Sequence, residues 1–211
     1  DLPVTDCFGG APANVACALS RLGVDVAFIG SLGNDAFGGN FKNLLIQRGI
    51  NVSALQQDSL RPTRIVLVRR DDSGERSFEG FEGDKGLGFA DQAISCEQMM
   101  KVWQEVIEDA KWLILGTIPL ASEISSDAFL LCIKNAVEAG INIAVDLNWR
   151  PTFWRNKVST EFAPSLREKN EIISILKNVS LIKLAKEEAQ SFFNTSNPIE
   201  ISSLLPQNPS V

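Results

Sequence analysis

The feature that most limits how this chain can fold is an alternation. Short apolar runs, at residues 24–30 (VDVAFIG), 112–116 (WLILG), 141–146 (INIAVD) and 179–183 (VSLIK), are separated by longer stretches with apolar residues at helical spacing. Phe37, Phe41, Leu44 and Leu45 make one such stretch, stopped by Gly49; Met99, Trp103, Val106, Ile107 and Ala110 make another; Phe129, Leu130, Ile133 and Val137 make a third, stopped by Gly140. Runs of four to seven apolar residues alternating with helices specify an α/β architecture with a parallel sheet. Ser95 and Gln98 have the spacing of a capping box at the head of the second stretch. The Met and Trp stripe that follows reads as core.

One segment breaks the alternation. Residues 62–70 (PTRIVLVRR), the turn DDSG and residues 75–81 (ERSFEGF) carry the signal of a β-hairpin. A hairpin between parallel units cannot easily join their sheet, so it should project from it. The expected organisation is therefore a core over 1–61, an inserted hairpin over 62–90 and a continued core over 91–211.

The chain has 211 residues with 45% hydrophobic and 22% charged content, enough for one globular α/β domain. A formal charge of -6 and dispersed Lys and Arg argue against nucleic acid as a partner, and no apolar run is long enough to span a membrane as a helix. Cys7, Cys17, Cys96 and Cys132 form no Cys-x-x-Cys pair and the chain has no His. This suggests neither a zinc site nor a disulfide framework, and buried free thiols are expected. Without His, any chemistry falls to carboxylates, Lys and Arg.

Two constellations stand out. The first is GGAPANVACALSRLG, residues 9–23. Gly9 and Gly10 let the backbone approach a ligand closely, Pro12 suits a first helical turn, and Val15, Ala18, Leu19 and Leu22 recur at helical spacing before Gly23. Asn14, in that first turn, offers a donor and an acceptor. A Gly-Gly turn alone more often only positions a helix. The second constellation is DLNWRPTFWR, residues 146–155, at the end of a predicted strand, where ligands of open parallel sheets collect. Asp146, Asn148 and Arg150 put polar groups there. Arg150 could bind a sugar or phosphate oxygen, or clasp Asp146 structurally, and Pro151 forbids an immediate helix.

Gly9, Gly10, Asn14, Ala16, Gly23 and Gly33 together resemble the N-terminal signature of the PfkB (ribokinase-like) carbohydrate kinases, in wording closest to the fructokinase branch. The Asp-x-Asn-x-Arg at 146–150 with its aromatic sequel is similar to a motif of the same branch. The resemblance implies a ribokinase-like, Rossmann-type three-layer sandwich with a small β-hairpin lid, and an ATP- and Mg²⁺-dependent kinase acting on a sugar, most simply fructose. It assigns Gly9, Gly10, Asn14, Phe81, Asn148 and Arg150 to the sugar and Lys183 and Glu188 to organising metal and phosphates. Phe78 and Phe81 would cover an apolar sugar face and Arg64, Arg69 or Arg70 would reach hydroxyls; ordinary cross-strand pairs and solvated charges explain the same residues equally well. At Ala185 the family usually has Asn or Ser, so a polar contact is missing.

The resemblance further implies that the chain corresponds to the N-terminal and central part of such a kinase, truncated at both ends. The family's catalytic Asp, in a Gly-Ala-Gly-Asp motif, does not occur in this sequence, so no catalytic residue is assigned and the chain alone is expected to be inactive. A homodimer through the lid and a cytoplasmic or plastid-stroma location are further expectations. The last Pro-rich residues of the stretch NTSNPIEISSLLPQNPSV read as a loop feeding another strand. Two other readings stay open: a non-catalytic PfkB-like binding or scaffold protein, and a PfkB kinase for another sugar or a nucleoside.

Overall fold

The computed structural model describes residues 7–70, 74, 76–155 and 161–211. Its order is α1 (Ala11–Arg21), β1 (Gly30–Gly33), α2 (Ala36–Gln47), β2 (Leu55–Asp58), β3 (Ile65–Arg70), β4 (Arg76–Glu82), α3 (Cys96–Ile107), β5 (Trp112–Gly116), α4 (Glu123–Glu138), β6 (Asn142–Asp146), α5 (Pro151–Arg155), α6 (Leu166–Ile175), β7 (Leu181–Lys183), α7 (Lys186–Phe193) and α8 (Pro198–Ser203). Strands β1 and β2 pair in parallel, β3 and β4 pair antiparallel, and β5, β6 and β7 form a parallel sheet in that order. The α/β alternation and the separate hairpin are both present; most of the DDSG turn lies outside the described residues.

The largest core cluster lies between β5–β6–β7 and helices α4, α6 and α7, around Val145, Leu147, Trp149, Ile172 and Phe192. Helix α4 serves two clusters at once. Phe129, Ile133 and Ala136 face the sheet, whereas Ala128 and Cys132 meet Met99 and Trp103 of α3. Leu130 and Val137, expected in the core, are instead about half exposed at 45% and 47%, because small Ala128 and Ala136 occupy the inward stripe. Helix α1 shows the same substitution of small for large: Ala13 and Ala16 are buried, and Leu22, at the helix end, is exposed.

Several local expectations are corrected. Among the described residues, 24–29 form only one bridge, Ala27 with Asn51, and the strand proper begins at Gly30. The partner segment turns between Val52 and Leu55, whose N–H donates to the Val52 carbonyl, and this shifts the pairing by one residue. Ser95 caps α3 by accepting from the Gln98 N–H, but no reciprocal bond closes a box, since the Ser95 N–H donates to Gln56 Oε1 at 2.7 Å. Pro151 starts α5, where a residue without an N–H loses nothing. The tail contains the short helix α8, and beyond it Ser210 makes a single parallel bridge with Leu181 beside β7. Of the four thiols only Cys132 is buried; Cys7 is exposed and Cys17 and Cys96 are intermediate.

Candidate functional site

The carboxyl ends of the parallel strands lie in one row. Gly116, Asp146 and Lys183, the last residues of β5, β6 and β7, are mutual register partners. A methyl placed on Gly116 would stand 3.8 Å from Pro12 Cγ and 3.9 Å from the Asp146 carbonyl oxygen, so the first turn of α1 sits directly over the end of β5. This brings Gly9, Gly10 and Asn14, all exposed, to the same edge as the Asp146 segment. Gly10 takes the N-cap place with φ of 116°, a conformation that favours glycine, and no side chain of the described residues caps that helix end.

Beyond Asp146 the chain is held by alternating anchors. The Leu147 N–H donates to the Lys183 carbonyl at 2.9 Å, and the buried Thr117 hydroxyl donates to the Leu147 carbonyl at 2.6 Å. Asn148 follows with φ of 41°, in the left-handed region that Asn tolerates better than most residues. This reversal buries Trp149 completely, against Trp154 and Phe192, and its indole N–H donates to the Phe162 carbonyl. Arg150 then returns to the surface with its side chain 55% exposed.

Glu188 joins the two halves of the predicted site. Its carboxylate is buried, accepting the Trp149 N–H on Oε1 and the Ala185 N–H on Oε2, each at 2.7 Å, and Arg150 Nη1 lies 3.9 Å from Oε1. Arg150 therefore does not clasp Asp146. It donates to the Trp149 carbonyl at 2.8 Å, and Asp146 pairs instead with Lys183, Oδ1 to Nζ at 3.0 Å. Ala185 is the N-cap of α7 and has no oxygen to offer, so only the Glu188 half of a capping arrangement exists.

The hairpin reaches this edge through aromatic contacts. Phe78 and Phe81 pack on each other and both on Phe153 of α5, with centroids 5.9 and 4.7 Å from it. Phe153 and Phe89, which completes the cluster against Phe81, were not singled out by the sequence reading; their only signal is their place among other aromatics in 146–155 and after a glycine-rich return. Arg64 is buried within this cluster, whereas Arg69 is exposed and pairs with Glu79 at 3.5 Å. The side chain of Arg70 lies outside the described residues. A cavity of about 670 Å³ opens beside the hairpin, walled by Phe81, Phe89 and Leu87 and offering the polar groups of Arg61, Asp84 and Thr152.

The hairpin root is tied to the β1–α2 turn, which explains the glycines there. Asp35 accepts the Gly38 N–H at 2.8 Å as N-cap of α2 and the Thr63 N–H at 2.7 Å, and the Gly33 N–H donates to Thr63 Oγ1 at 3.0 Å. Burial pushes the Asp35 carboxyl up, but the hydrogen bonds from Thr63 and Gly38 outweigh it and hold the group below the usual carboxylate range. At Gly33 and Gly38 a methyl group would collide with backbone.

Residues 4–208 match the pfkB family carbohydrate kinase domain. The chain belongs to this family. It is 34% identical over 180 residues to the probable fructokinase-5 of Arabidopsis thaliana, an alignment covering 85% of this chain and 51% of that protein. Among solved structures it is similar to the ATP-bound fructokinase of Xylella fastidiosa, with a TM-score of 0.76 and 27% identity over 94% of this chain and 59% of that one. It is likewise similar to the Vibrio cholerae fructokinase with bound fructose, ADP and calcium, with a TM-score of 0.71 and 26% identity, covering 90% and 56%. The chain spans about half the length of the curated relatives it matches. Its fold is the ribokinase-like α/β fold of these sugar kinases.

Proposed function

We propose that this chain is the sugar-binding part of an ATP-dependent, fructokinase-like enzyme that transfers a phosphoryl group to a hexose hydroxyl, with fructose as the substrate. One observation carries the reading: the Gly9–Gly10 turn, the Asp146–Arg150 segment and the aromatic face of the hairpin converge on the carboxyl edge of one parallel sheet. Exposed Asn14 and Arg150 supply donors for sugar oxygens, Asn148 shapes the approach, and Phe81 supplies an apolar surface for the carbon face of a sugar. The division into a core over 1–61, a lid over 62–90 and a core over 91–211 is part of this proposal.

ATP and Mg²⁺ belong to the complete enzyme. Among the described residues no three His, Cys, Asp or Glu side chains gather as a metal site. Glu188 already accepts two backbone N–H groups and Lys183 is paired with Asp146. These residues do not fit a direct metal centre. The role of this chain is to bind and orient the sugar and to exclude water from it. By itself it is proposed to have no kinase activity.

Calorimetric titration of fructose into the 211-residue chain tests the reading. Fructose should bind, and Asn14→Ala and Arg150→Ala should each weaken binding roughly tenfold, the loss of a hydrogen bond or two. Equal, unaffected binding in both variants, or none in the parent chain, overturns it. ATP-dependent phosphorylation of fructose by this chain alone would refute the inactivity. Ribose and a nucleoside titrated in parallel test the assignment to a hexose.

Ala185 favours a second reading, a PfkB-like protein that binds without catalysis, since the residue leaves α7 without a side-chain cap at the carboxyl edge. The complete protein phosphorylating fructose would exclude it. We also propose a homodimer through the lid, supported by exposed Val66, Leu67 and Val68 on β3 and tested by light scattering after gel filtration. Four free cysteines support a reducing compartment, the cytoplasm or the plastid stroma.

A further inference from the structure

Arg64 is the residue after the pinned Thr63, and its side chain is only 7% exposed. A guanidinium buried to this degree is costly unless its charge and donors are met. Its Nε–H is shared by the two carboxylate oxygens of Asp91, at 3.2 and 3.0 Å. The carbon between its nitrogens stands over three rings, 4.6 Å from the centroids of Phe81 and Phe89 and 5.1 Å from that of Phe153. Nη1 is buried and has no hydrogen-bond partner among the described residues.

These contacts come from separate parts of the chain. Phe81 is on β4, Phe89 and Asp91 are on the return from the hairpin, and Phe153 is on α5, three residues beyond Arg150. Lifting the hairpin would part Arg64 from Phe153, so its burial and the docking of the hairpin are coupled. Space filling alone does not account for an arginine here. An apolar side chain of similar length would reach the same rings without leaving a donor unsatisfied.

We propose that Arg64 is a positioning residue that latches the β3–β4 hairpin onto the core and fixes the Phe81 and Phe89 wall of the adjoining cavity. The consequence for sugar binding rests on the function proposed above; the latch itself does not. Arg64 acts through the rings: Phe81 holds one face to the guanidinium and contributes to the cavity lining. The charge is the active element, because it orients the cation–π contacts and draws Asp91 to the hairpin root.

Hydrogen-exchange mass spectrometry on the 211-residue chain, first without sugar, tests the latch. In Arg64→Met and Arg64→Ala, amides of residues 65–69 and 77–82 should exchange roughly tenfold to a hundredfold faster, the scale of a lost charge-assisted bond and cation–π contacts. Amides of β6 should be unchanged. Arg64→Lys should recover part of the protection, and Asp91→Ala should show part of the loss. The Arg64→Ala, Asp91→Ala double variant should fall short of the sum of the single effects, since the two side chains share an interaction. Wild-type exchange in Arg64→Met, or full additivity in the double variant, overturns the proposal. If Arg64→Ala does not fold, Arg64→Lys and Asp91→Asn give the same comparison. A second arm adds fructose, which should slow hairpin exchange in the parent chain and not in Arg64→Met. No fructose effect in the parent chain counts against the sugar reading and leaves the first arm to judge the latch.

Discussion

Glu188→Ala should be among the most damaging single substitutions in this chain, although the family resemblance gives the residue only a role in organising metal and phosphates. Its carboxylate is 3% exposed and accepts two backbone N–H groups, from Trp149 and Ala185, at 2.7 Å each. A hydrogen bond to a charged group contributes about 1.5–3 kcal/mol, so removing both acceptors costs about 3–6 kcal/mol, against a total stability of about 5–15 kcal/mol for a typical domain. The Trp149 N–H would be left buried without an acceptor, since that residue is fully buried. Glu188→Gln keeps one acceptor oxygen for two donors and should lose about half as much, about 1.5–3 kcal/mol. Urea denaturation followed by tryptophan fluorescence reads this directly, because Trp149 packs against Trp154 and, edge-on, against Phe192 beside the substituted group. A loss below about 1 kcal/mol for Glu188→Ala, with an unchanged denaturant slope, would refute the idea that this carboxylate joins the 146–150 segment to α7.

The remaining expectations concern the hairpin root and helix ends. Gly38→Ala should destabilise by at least about 1–3 kcal/mol, the usual cost of overpacking, because its methyl would collide with the Gly33 carbonyl oxygen. Gly39→Ala, next to it in the same helix and with nothing within 4 Å of the added methyl, should stabilise by about 0.5–1 kcal/mol. Thermal unfolding of the pair checks both signs. Ala185→Ser restores an N-cap acceptor to α7 and should raise stability by about 0.5–2 kcal/mol, seen as a higher Tm. The Asp35 carboxyl has a lowered pKa in the folded chain, so its contribution is complete above the unfolded carboxylate value and is lost as pH falls through the folded one. Acid titration should therefore loosen the hairpin root in the parent chain, and Asp35→Asn should flatten that dependence; an identical acid profile in the variant counts against it.

The elements were legible where they follow a period, and the contacts were not. β5 and β6 fall on the runs 112–116 and 141–146 because an apolar run ended by Gly or Asp is a local signal. Pro151 and residues 24–29 misled for opposite reasons. The proline permits a first helical turn as readily as it breaks a later one, and the apolar run lost its ladder to a turn in its partner, at 52–55. Leu130 and Val137 have the right spacing for the core, yet the choice between them and Ala128 or Ala136 depends on how closely α3 and the sheet approach α4, which spacing does not encode.

At the site the gap between residue and partner has one physical cause. Asp146, Asn148 and Arg150 are recognisable as polar groups at a strand end and Lys183 and Glu188 only through the family resemblance, but the sequence-based candidate partner for Arg150 is Asp146. The structure pairs Asp146 with Lys183 and brings Arg150 beside Glu188, because Asn148 takes a left-handed turn that sends Trp149 inward and Arg150 outward. A single backbone reversal thus sets which side chains face the sheet edge and which lie beneath it. The same logic governs Arg64: its place on the hairpin is readable, but its burial depends on Phe89, Asp91 and Phe153 arriving from segments outside the two strands. Residues whose contacts lie across several segments are the ones whose loss should uncouple those segments: Arg64 ties the hairpin to Phe153 of α5 and to Asp91, whereas Glu188 ties the 146–150 segment to α7.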